Sequence, residues 1–228
     1  MSRITHLSVA CNLVTVGLVL VGYVSPNVKT TFVPQITAPE VSSSARIHPL
    51  ASVIGSVSIG DRVFVAPAAS IRGDEGQHIH IGHDSNVQDG VVVHGLHTFD
   101  HGKEIPEHEV EFAGKRYSVY VGDRTSLAHQ SQVHGPARIG HDTFVGMQAL
   151  VFKSELGDHV VVEPGAKVIG VKVPSGRYVP AMSLISKQAE ADALPTITAD
   201  YPYNGLNEHV VHVNIQLAGA SPLGAYPR

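Results

Sequence analysis

Three histidines, His94, His129 and His134, are the residues of this chain best suited to chemistry. Histidine is the commonest protein ligand for metals, and it exchanges protons close to neutral pH. His129 and His134 stand five positions apart in HQSQVH, but the chain has 15 histidines, so such a pair also arises by chance. Whether these side chains meet depends on the elements that carry them.

Aliphatic residues recur every six positions along most of residues 47–180. They are Ile47, Val53, Ile59, Val65 and Ile71, then Val121, Leu127, Val133, Ile139, Val145 and Val151, and, after a step one residue shorter, Leu156, Val162 and Val168. A helix of period 3.6 would not keep them on one face, whereas a solenoid that buries one side chain per repeat does. The pattern resembles the left-handed parallel β-helix of the hexapeptide-repeat proteins, with three hexads to a coil. We therefore expect an all-β solenoid over residues 47–182, with a β-sandwich as the alternative.

The repeat also predicts which faces the histidines occupy. Val93 and Val121 are 28 residues apart, which is one hexad plus 22. If residues 97–118 leave the coil as a loop, Val93, Val121, Leu127 and Val133 occupy consecutive faces. Because three faces complete a turn, Val133 then lies directly over Val93.

His94 and His134 each follow one of these two valines, so they should stack one coil apart, at about 4.8 Å. His129 belongs to the neighbouring face and cannot easily join them within its own subunit. A trimer with threefold symmetry would bring His129 of the next subunit to the pair. Three histidines with an open position for water are typical of a catalytic zinc site that generates hydroxide.

Composition limits the alternatives. The 228-residue chain has a formal charge of −4 and no basic run, so we expect no nucleic-acid partner. The single Cys11 excludes an internal disulfide and a cysteine-rich zinc site.

Both ends of the chain should lie outside the repeat. Residues 1–24 are mostly apolar after Arg3 and predict a signal peptide, hence export to the periplasm or the cell exterior. The alternative is a hydrophobic segment that packs on the open end of the solenoid in a cytoplasmic protein. Residues 25–46 are expected to form a linker.

The C-terminal segment, residues 183–228, should contain a short helix over 186–195 and a second over 207–219. In the second helix Val210, Val211 and Ile215 fall on one side, with Leu217 or Ala218. This spacing predicts a helix packed along the outside of the β-helix.

Four segments resemble the motifs of the gamma-class carbonic anhydrases: ASIRGDEG (69–76), SNVQDGVVVHG (85–95), SLAHQSQVHGP (126–136) and DTFVGMQALVFKS (142–154). The resemblance runs from about His48 to Leu217. It implies reversible hydration of CO2 to bicarbonate and a proton by a metal-bound hydroxide, in a homotrimer with its metal sites at the subunit interfaces. It also implies Zn2+, with Fe2+ or Co2+ possible, bound by His94 and His134 of one subunit and His129 of the next.

The resemblance implies roles for further residues. Gln88 matches a side chain that bonds the metal-bound water, Asn86 a neighbour that helps bind CO2, and Glu75 a carboxylate that moves the proton or contacts bicarbonate. Asn214 matches a polar residue near the pocket.

The resemblance also implies that Arg72 and Asp74 form an ion pair at the subunit interface.

At position 97 the chain differs from the archetypal archaeal member of the family, which has a proton-shuttling glutamate where this chain has His97. Because histidine also carries protons at physiological pH, we expect a shuttle with a changed pH profile. His101 and His108 follow in the same loop.

Two other functions remain open at this point. A hexapeptide-repeat acyltransferase would use a histidine as general base and would need no metal. A noncatalytic assembly protein related to the family would keep the fold without turning over CO2.

Overall fold

The computed structural model of the protein describes residues 23–33 and 35–220. The proposed signal segment, residues 1–24, lies outside this part except for its last two residues. No helix among the described residues is long and apolar enough to cross a membrane.

Short parallel strands form three sheets that enclose a prism. Sheet A contains β1 Tyr23–Ser25, β4 Ser52–Gly55, β7 Ser70–Gly73, β10 Val92–His94, β17 Gln132–His134, β20 Leu150–Phe152, β23 Lys167–Ile169 and β26 Leu184–Ile185. Sheet B contains β2 Glu40–Val41, β5 Val57–Ile59, β8 Ile79–Ile81, β15 Val119–Val121, β18 Ala137–Ile139, β21 Glu155–Leu156 and β24 Lys172–Val173. Sheet C contains β3 Arg46–Ile47, β6 Phe64–Val65, β9 Asn86–Val87, β16 Ser126–Leu127, β19 Phe144–Val145, β22 Val161–Val162 and β25 Tyr178–Val179. The chain visits A, B and C in turn, so the predicted solenoid is confirmed.

The aliphatic residues of the hexads form the core of the prism. From Val53 to Val168 all of them are buried, and Ile47 at the open end is partly buried. A fully buried valine, leucine or isoleucine stabilises the fold by about 1.5–3 kcal/mol. The residues that recur every six positions are therefore the ones whose side chains point inward.

The predicted register is also confirmed. Val93 of β10 pairs with Val133 of β17 on sheet A, while Val121 lies on sheet B and Leu127 on sheet C. The insertion leaves the coil after β10 and returns at β15, so the loop occupies the place that the spacing predicts.

The insertion is folded into two hairpins. They are β11 Phe99–Asp100 with β12 Lys103–Glu104, and β13 Val110–Phe112 with β14 Lys115–Tyr117, joined by the 3-10 turn Pro106–His108. The second hairpin covers part of sheet B. The ring centroids of Phe112 and Tyr120 are 4.2 Å apart, and the guanidinium carbon of Arg138 lies 4.8 Å from the centroid of the Phe112 ring. The loop is thereby tied to the prism.

Residues 23–47 form a first coil where the sequence suggested a linker. β1, β2 and β3 each extend one of the three sheets. Asn27 holds the turn between β1 and β2, since its Oδ1 accepts the Thr37 N–H at 2.7 Å and its Nδ2 donates to the Gln35 carbonyl at 3.0 Å. In this coil the six-residue step holds only for Val41 and Ile47, and the side-chain hydrogen bonds of Asn27 hold the part before them.

Two helices follow the last coil. The short one, α1 Gln188–Asp192, is shorter than the predicted 186–195 and contacts β24 and β26, so it covers the end of the prism. The long one, α2 Leu206–Gly219, agrees with the predicted 207–219 and packs on sheet C through β3, β6 and β16. Its inward side carries Val211 and Asn214, while Leu217 is exposed.

Ion pairs link successive coils at one corner. Arg62 binds Asp84 of the next coil through two hydrogen bonds of 2.6 and 2.7 Å, and Arg124 binds Asp142 in the same way. All four residues have a left-handed backbone conformation, with φ from 51° to 58°. Each pair therefore joins two corners that turn the chain alike and helps to hold their register.

Among the residues that the structure describes, the histidine whose pKa is lowered most lies on sheet B, away from the three candidate ligands. His80 lies 2.8 Å from the Ser58 hydroxyl and stacks on the Tyr120 ring. Burial, with a smaller contribution from His78, lowers the pKa of His80 to about 4. His80 is therefore neutral in the folded protein at pH values where a free histidine is charged.

We expect His80 to make the fold sensitive to acid. Between pH 6.5 and 4 the unfolded chain binds a proton at this position and the folded chain does not, so the free energy of unfolding falls as the pH falls. The full pKa shift would contribute roughly 3 kcal/mol to the free energy of unfolding. Because the His80 side chain is partly exposed, we expect a contribution of about 1–2 kcal/mol. When urea unfolding is measured at pH 7.5 and at pH 4.5, the free energy of unfolding should fall less in His80→Gln than in the wild type. The control is His209→Gln, at an exposed position of α2, whose free energy of unfolding should fall as much as that of the wild type. If the free energy of His80→Gln also falls as much as that of the wild type, His80 is not the source of the acid sensitivity.

Candidate metal centre

His94 and His134 form a facing pair on the outer surface of sheet A. They end β10 and β17, which pair in parallel with the two histidines side by side. Nδ1 of His94 lies 3.4 Å from Nε2 of His134. Two nitrogen ligands of a tetrahedral zinc ion, with bonds of about 2.0–2.1 Å, are about 3.3–3.4 Å apart. The separation therefore suits two ligands of one metal ion.

The other two ring nitrogens face oxygen atoms. Nδ1 of His134 lies 3.1 Å from the Gly135 carbonyl, which can only accept, so this nitrogen carries the proton and Nε2 has the lone pair. Nε2 of His94 lies 3.3 Å from Glu75 Oε1 and 3.4 Å from Asp74 Oδ1. These carboxylates attract the proton to Nε2 and leave the lone pair on Nδ1. Two lone pairs then face each other, an arrangement that a cation stabilises.

The surroundings of His94 keep it neutral. Burial lowers the pKa of His94, and the nearby Glu75 carboxylate opposes this only in part. Nε2 of His94 and Oδ1 of Asp74 are buried, and neither atom makes a hydrogen bond, so Asp74 and Glu75 act on the ring through their charge. Neutral imidazole is the form that binds a metal.

Asp74, Glu75 and His94 also bring ligand atoms within 4.8 Å of one another. Calcium or magnesium would need about six oxygen ligands, so this group is a poor site for either ion. We interpret the two carboxylates as groups that orient the His94 ring, as carboxylates commonly do for metal-binding histidines.

A break in the repeat places these carboxylates. Ile71 and Ile81 are ten residues apart instead of six, so four extra residues form the corner between β7 and β8. Gly73 begins that corner, where a Cβ atom would collide with the Ser56 carbonyl group. The irregular spacing is the sequence signal that could have predicted the contact of Asp74 with His94.

His129 lies at the corner between sheets C and A, with its side chain 56% exposed. Its Nδ1 is 3.0 Å from Oδ2 of Asp89. Among the described residues it belongs to no group of three or more metal-binding side chains. The structure thus brings together two of the three predicted ligands within one subunit and leaves the third at the surface, as the register argument requires.

Gln88 and Asn86 lie on sheet C beside this corner. Nε2 of Gln88 donates to Oδ1 of Asn86 at 2.9 Å, and Nδ2 of Asn86 donates to the Ser126 hydroxyl at 2.9 Å. Both side chains are buried. The chain of bonds fixes both amides and leaves Oε1 of Gln88 as an acceptor.

Comparison with curated proteins shows the family of the chain. It is 54% identical over 193 residues to the carbonic anhydrase of Methanosarcina thermophila, which covers 84% of this chain and 78% of the relative. The chain belongs to the gamma-class carbonic anhydrases. The carboxysome assembly protein CcmM of Nostoc sp. is 39% identical over 175 residues, or 77% of this chain, which spans only 30% of that protein. A search against family models found no match.

Solved structures agree on the fold of this family member. A hexapeptide transferase family protein from Anaplasma phagocytophilum superposes with a TM-score of 0.62 at 22% identity, over 86% of this chain and 96% of that one. A putative acetyltransferase from Bacillus cereus gives a TM-score of 0.52 at 19% identity, over 87% and 95%. These likenesses show the hexapeptide-repeat architecture alone.

The remaining residues matched by the family's motifs are divided between two faces. Nε of Arg72 lies 3.1 Å from Oδ2 of Asp74 within one subunit, one coil from His94. Asn214 lies on α2 against sheet C, where its Nδ2 donates to the Val210 carbonyl at 2.9 Å. In one subunit Asn214 is therefore on the side of Asn86 and Gln88 and not on the face of the histidine pair.

His97 lies at the start of the insertion, near the backbone of Glu75. The next residue, Thr98, donates its N–H to the Glu75 carbonyl at 2.9 Å. The His97 ring packs against Phe32 on one side and His108 on the other, with ring centroids 6.2 and 5.3 Å away. The loop thus places an imidazole beside the segment that carries Glu75.

The donor set fits a divalent metal of the zinc type. Imidazole nitrogens such as those of His94 and His134 suit zinc, iron(II) and cobalt(II) better than magnesium or calcium. The second ring nitrogens of His129 and His134 each lie within hydrogen-bond distance of an oxygen, and that of His94 lies 3.3 Å from Oε1 of Glu75 without a hydrogen bond.

Replacement of one member of the pair should weaken metal binding. We expect His134→Ala to bind zinc at least about tenfold more weakly than the wild type, because one of two facing lone pairs is lost. Competition with a chromophoric chelator measures the affinity, and the shift of the melting temperature on zinc addition gives a second reading. His159→Ala, at an exposed corner position, is the control and should behave as the wild type. Equal affinity in His134→Ala would exclude the pair as the metal site.

Proposed function

We propose that this protein is a metal-dependent carbonic anhydrase, a lyase that catalyses the reversible hydration of CO2. The observation that carries the proposal is the 3.4 Å approach of Nδ1 of His94 and Nε2 of His134 in a member of this family. Zinc, iron(II) or cobalt(II) would bind there. When bound, the metal would supply a water that loses its proton near pH 7.

We propose a homotrimer as the active form. The pair lies on sheet A and His129 at the adjacent corner, so a threefold axis beside sheet A can bring one subunit's corner to the next subunit's pair. The same face exposes single apolar side chains, Val92 and Leu184 on the strands and Met182 beside them, which an interface would cover. The ion pair of Arg72 and Asp74 would lie at this interface.

The buried amides would position the reactants. Gln88 immediately precedes Asp89, the partner of His129, so it would accompany His129 to the neighbour's site. Its free Oε1 can accept a hydrogen bond from the attacking water and so direct the oxygen lone pair toward CO2. Asn86 accepts a hydrogen bond from that amide and would help to bind CO2.

Protons would leave by way of Glu75 and His97. Each hydration releases a proton that must reach the buffer before the next turnover. Glu75 lies 3.3 Å from the His94 ring, and the loop anchored on its backbone brings His97 alongside. His97 would carry the proton to solvent.

Two other functions predict different behaviour. An acyltransferase would need no metal and would tolerate loss of His94. An assembly protein would bind metal in a trimer without turnover, and the similarity to part of a carboxysome assembly protein keeps this candidate open.

The enzyme proposal predicts CO2 hydration that depends on metal and on His94. We expect stopped-flow hydration by the anaerobically purified protein to vanish after chelation and to return with zinc or iron(II). His94→Ala should lose at least about a hundredfold in kcat/KM, which corresponds to about 2.7 kcal/mol of transition-state stabilisation.

The control for that experiment is His159→Ala, which should keep full activity. A wild-type trimer that holds metal but does not hydrate CO2 would exclude the enzyme and favour the assembly role. Activity that survives both chelation and His94→Ala would exclude the metal mechanism.

A separate prediction concerns the shuttle. His97→Ala should lower kcat about tenfold or more and leave kcat/KM nearly unchanged, because proton export follows the chemical step. Added imidazole buffer should restore kcat, and the exposed His101→Ala serves as the control. Equal losses in kcat and kcat/KM, without rescue by imidazole, would contradict the shuttle role.

A further inference from the structure

Asp89 and His129 are stacked one coil apart at the same corner. Val87 pairs with Leu127 on sheet C, so two residues later Asp89 lies beside His129. The residues that follow them, Gly90 and Gln130, both have a left-handed backbone, with φ of 69° and 60°. The two corners therefore turn alike and keep the side chains in register.

The coil on the other side of His129 offers no comparable partner. Val145 pairs with Leu127, which places Met147 beside His129 in the next coil. A thioether is a weak hydrogen-bond acceptor. The Asp89 carboxylate, whose Oδ2 lies 3.0 Å from Nδ1 of His129, is the strong acceptor in this column.

This contact determines which nitrogen is offered to a neighbour. A carboxylate accepts the Nδ1–H, so the lone pair of the neutral ring lies on Nε2. The contact also restrains a side chain that is otherwise 56% exposed. With Nδ1 on Asp89, Nε2 is the ring nitrogen left for a neighbour.

We infer that Asp89 is the positioning residue that presents Nε2 of His129 to the metal of the neighbouring subunit. This inference rests on the proposed function, because it assumes that His129 is a ligand there. Asp89 would act through His129 without touching the metal or the substrate. Asp89 would accept the Nδ1–H of His129, as the Gly135 carbonyl accepts the Nδ1–H of His134.

Asp89→Asn tests the inference, since the amide keeps the shape of the side chain and removes its charge. We expect zinc affinity to fall about 10–100-fold, the usual effect of losing such a partner, while the protein remains a trimer by sedimentation. The visible absorption spectrum of the cobalt-substituted protein should also change. Asp84→Asn makes the same charge change at a corner paired with Arg62 and should alter neither reading.

Two further variants separate the possible failures. If His129→Ala binds zinc as the wild type does, His129 is not a ligand and the proposed site is wrong. If His129→Ala loses zinc affinity and Asp89→Asn keeps it, only the present inference is overturned. In the His129→Ala background, Asp89→Asn should have no further effect on zinc affinity, and an additive loss would show that Asp89 acts independently of His129.

Discussion

The fixed stacking of one coil on the next is the constraint on which the rest of the structure depends. Backbone hydrogen bonds between parallel strands hold successive coils about 4.8 Å apart, and every aliphatic hexad residue repeats at that spacing. A polar residue placed after such an aliphatic residue meets its counterpart in the adjacent coil. His94 and His134 are neighbours for this reason, although 40 residues separate them, and their distance is set by the backbone rather than by flexible loops.

The residues that surround the histidine pair lie where the repeat is interrupted. The four extra residues before Ile79 carry Asp74 and Glu75 to the His94 ring. The insertion after β10 returns to the prism through the Phe112 hairpin and places His97 near the same corner. The regular coils hold His129 and His134 at fixed positions, whereas the irregular segments bring the carboxylates and His97 to the site. This division agrees with the general observation that rigid scaffolds position functional loops.

Each candidate ligand has an oxygen atom at one ring nitrogen: a backbone carbonyl for His134, carboxylates for His94 and Asp89 for His129. Such partners select one tautomer and aim the other nitrogen. In the proposed trimer His94 and His134 of one subunit would be completed by His129 of the next, so a single subunit would hold an incomplete site. Assembly and metal binding would therefore stabilise each other.

The sequence by itself determined the solenoid, the place of the insertion, the stacking of His94 with His134 and the helix over 207–219, because a strict period of six specifies which residues point inward and which coil they join. It did not predict the first coil over residues 23–47, the shorter extent of α1, or the contacts of Asp74 and Asp89 with the histidines. Those depend on side-chain hydrogen bonds and on corner geometry, which follow no period. Only the tertiary structure, by placing coils side by side, decided which carboxylate lies against which imidazole.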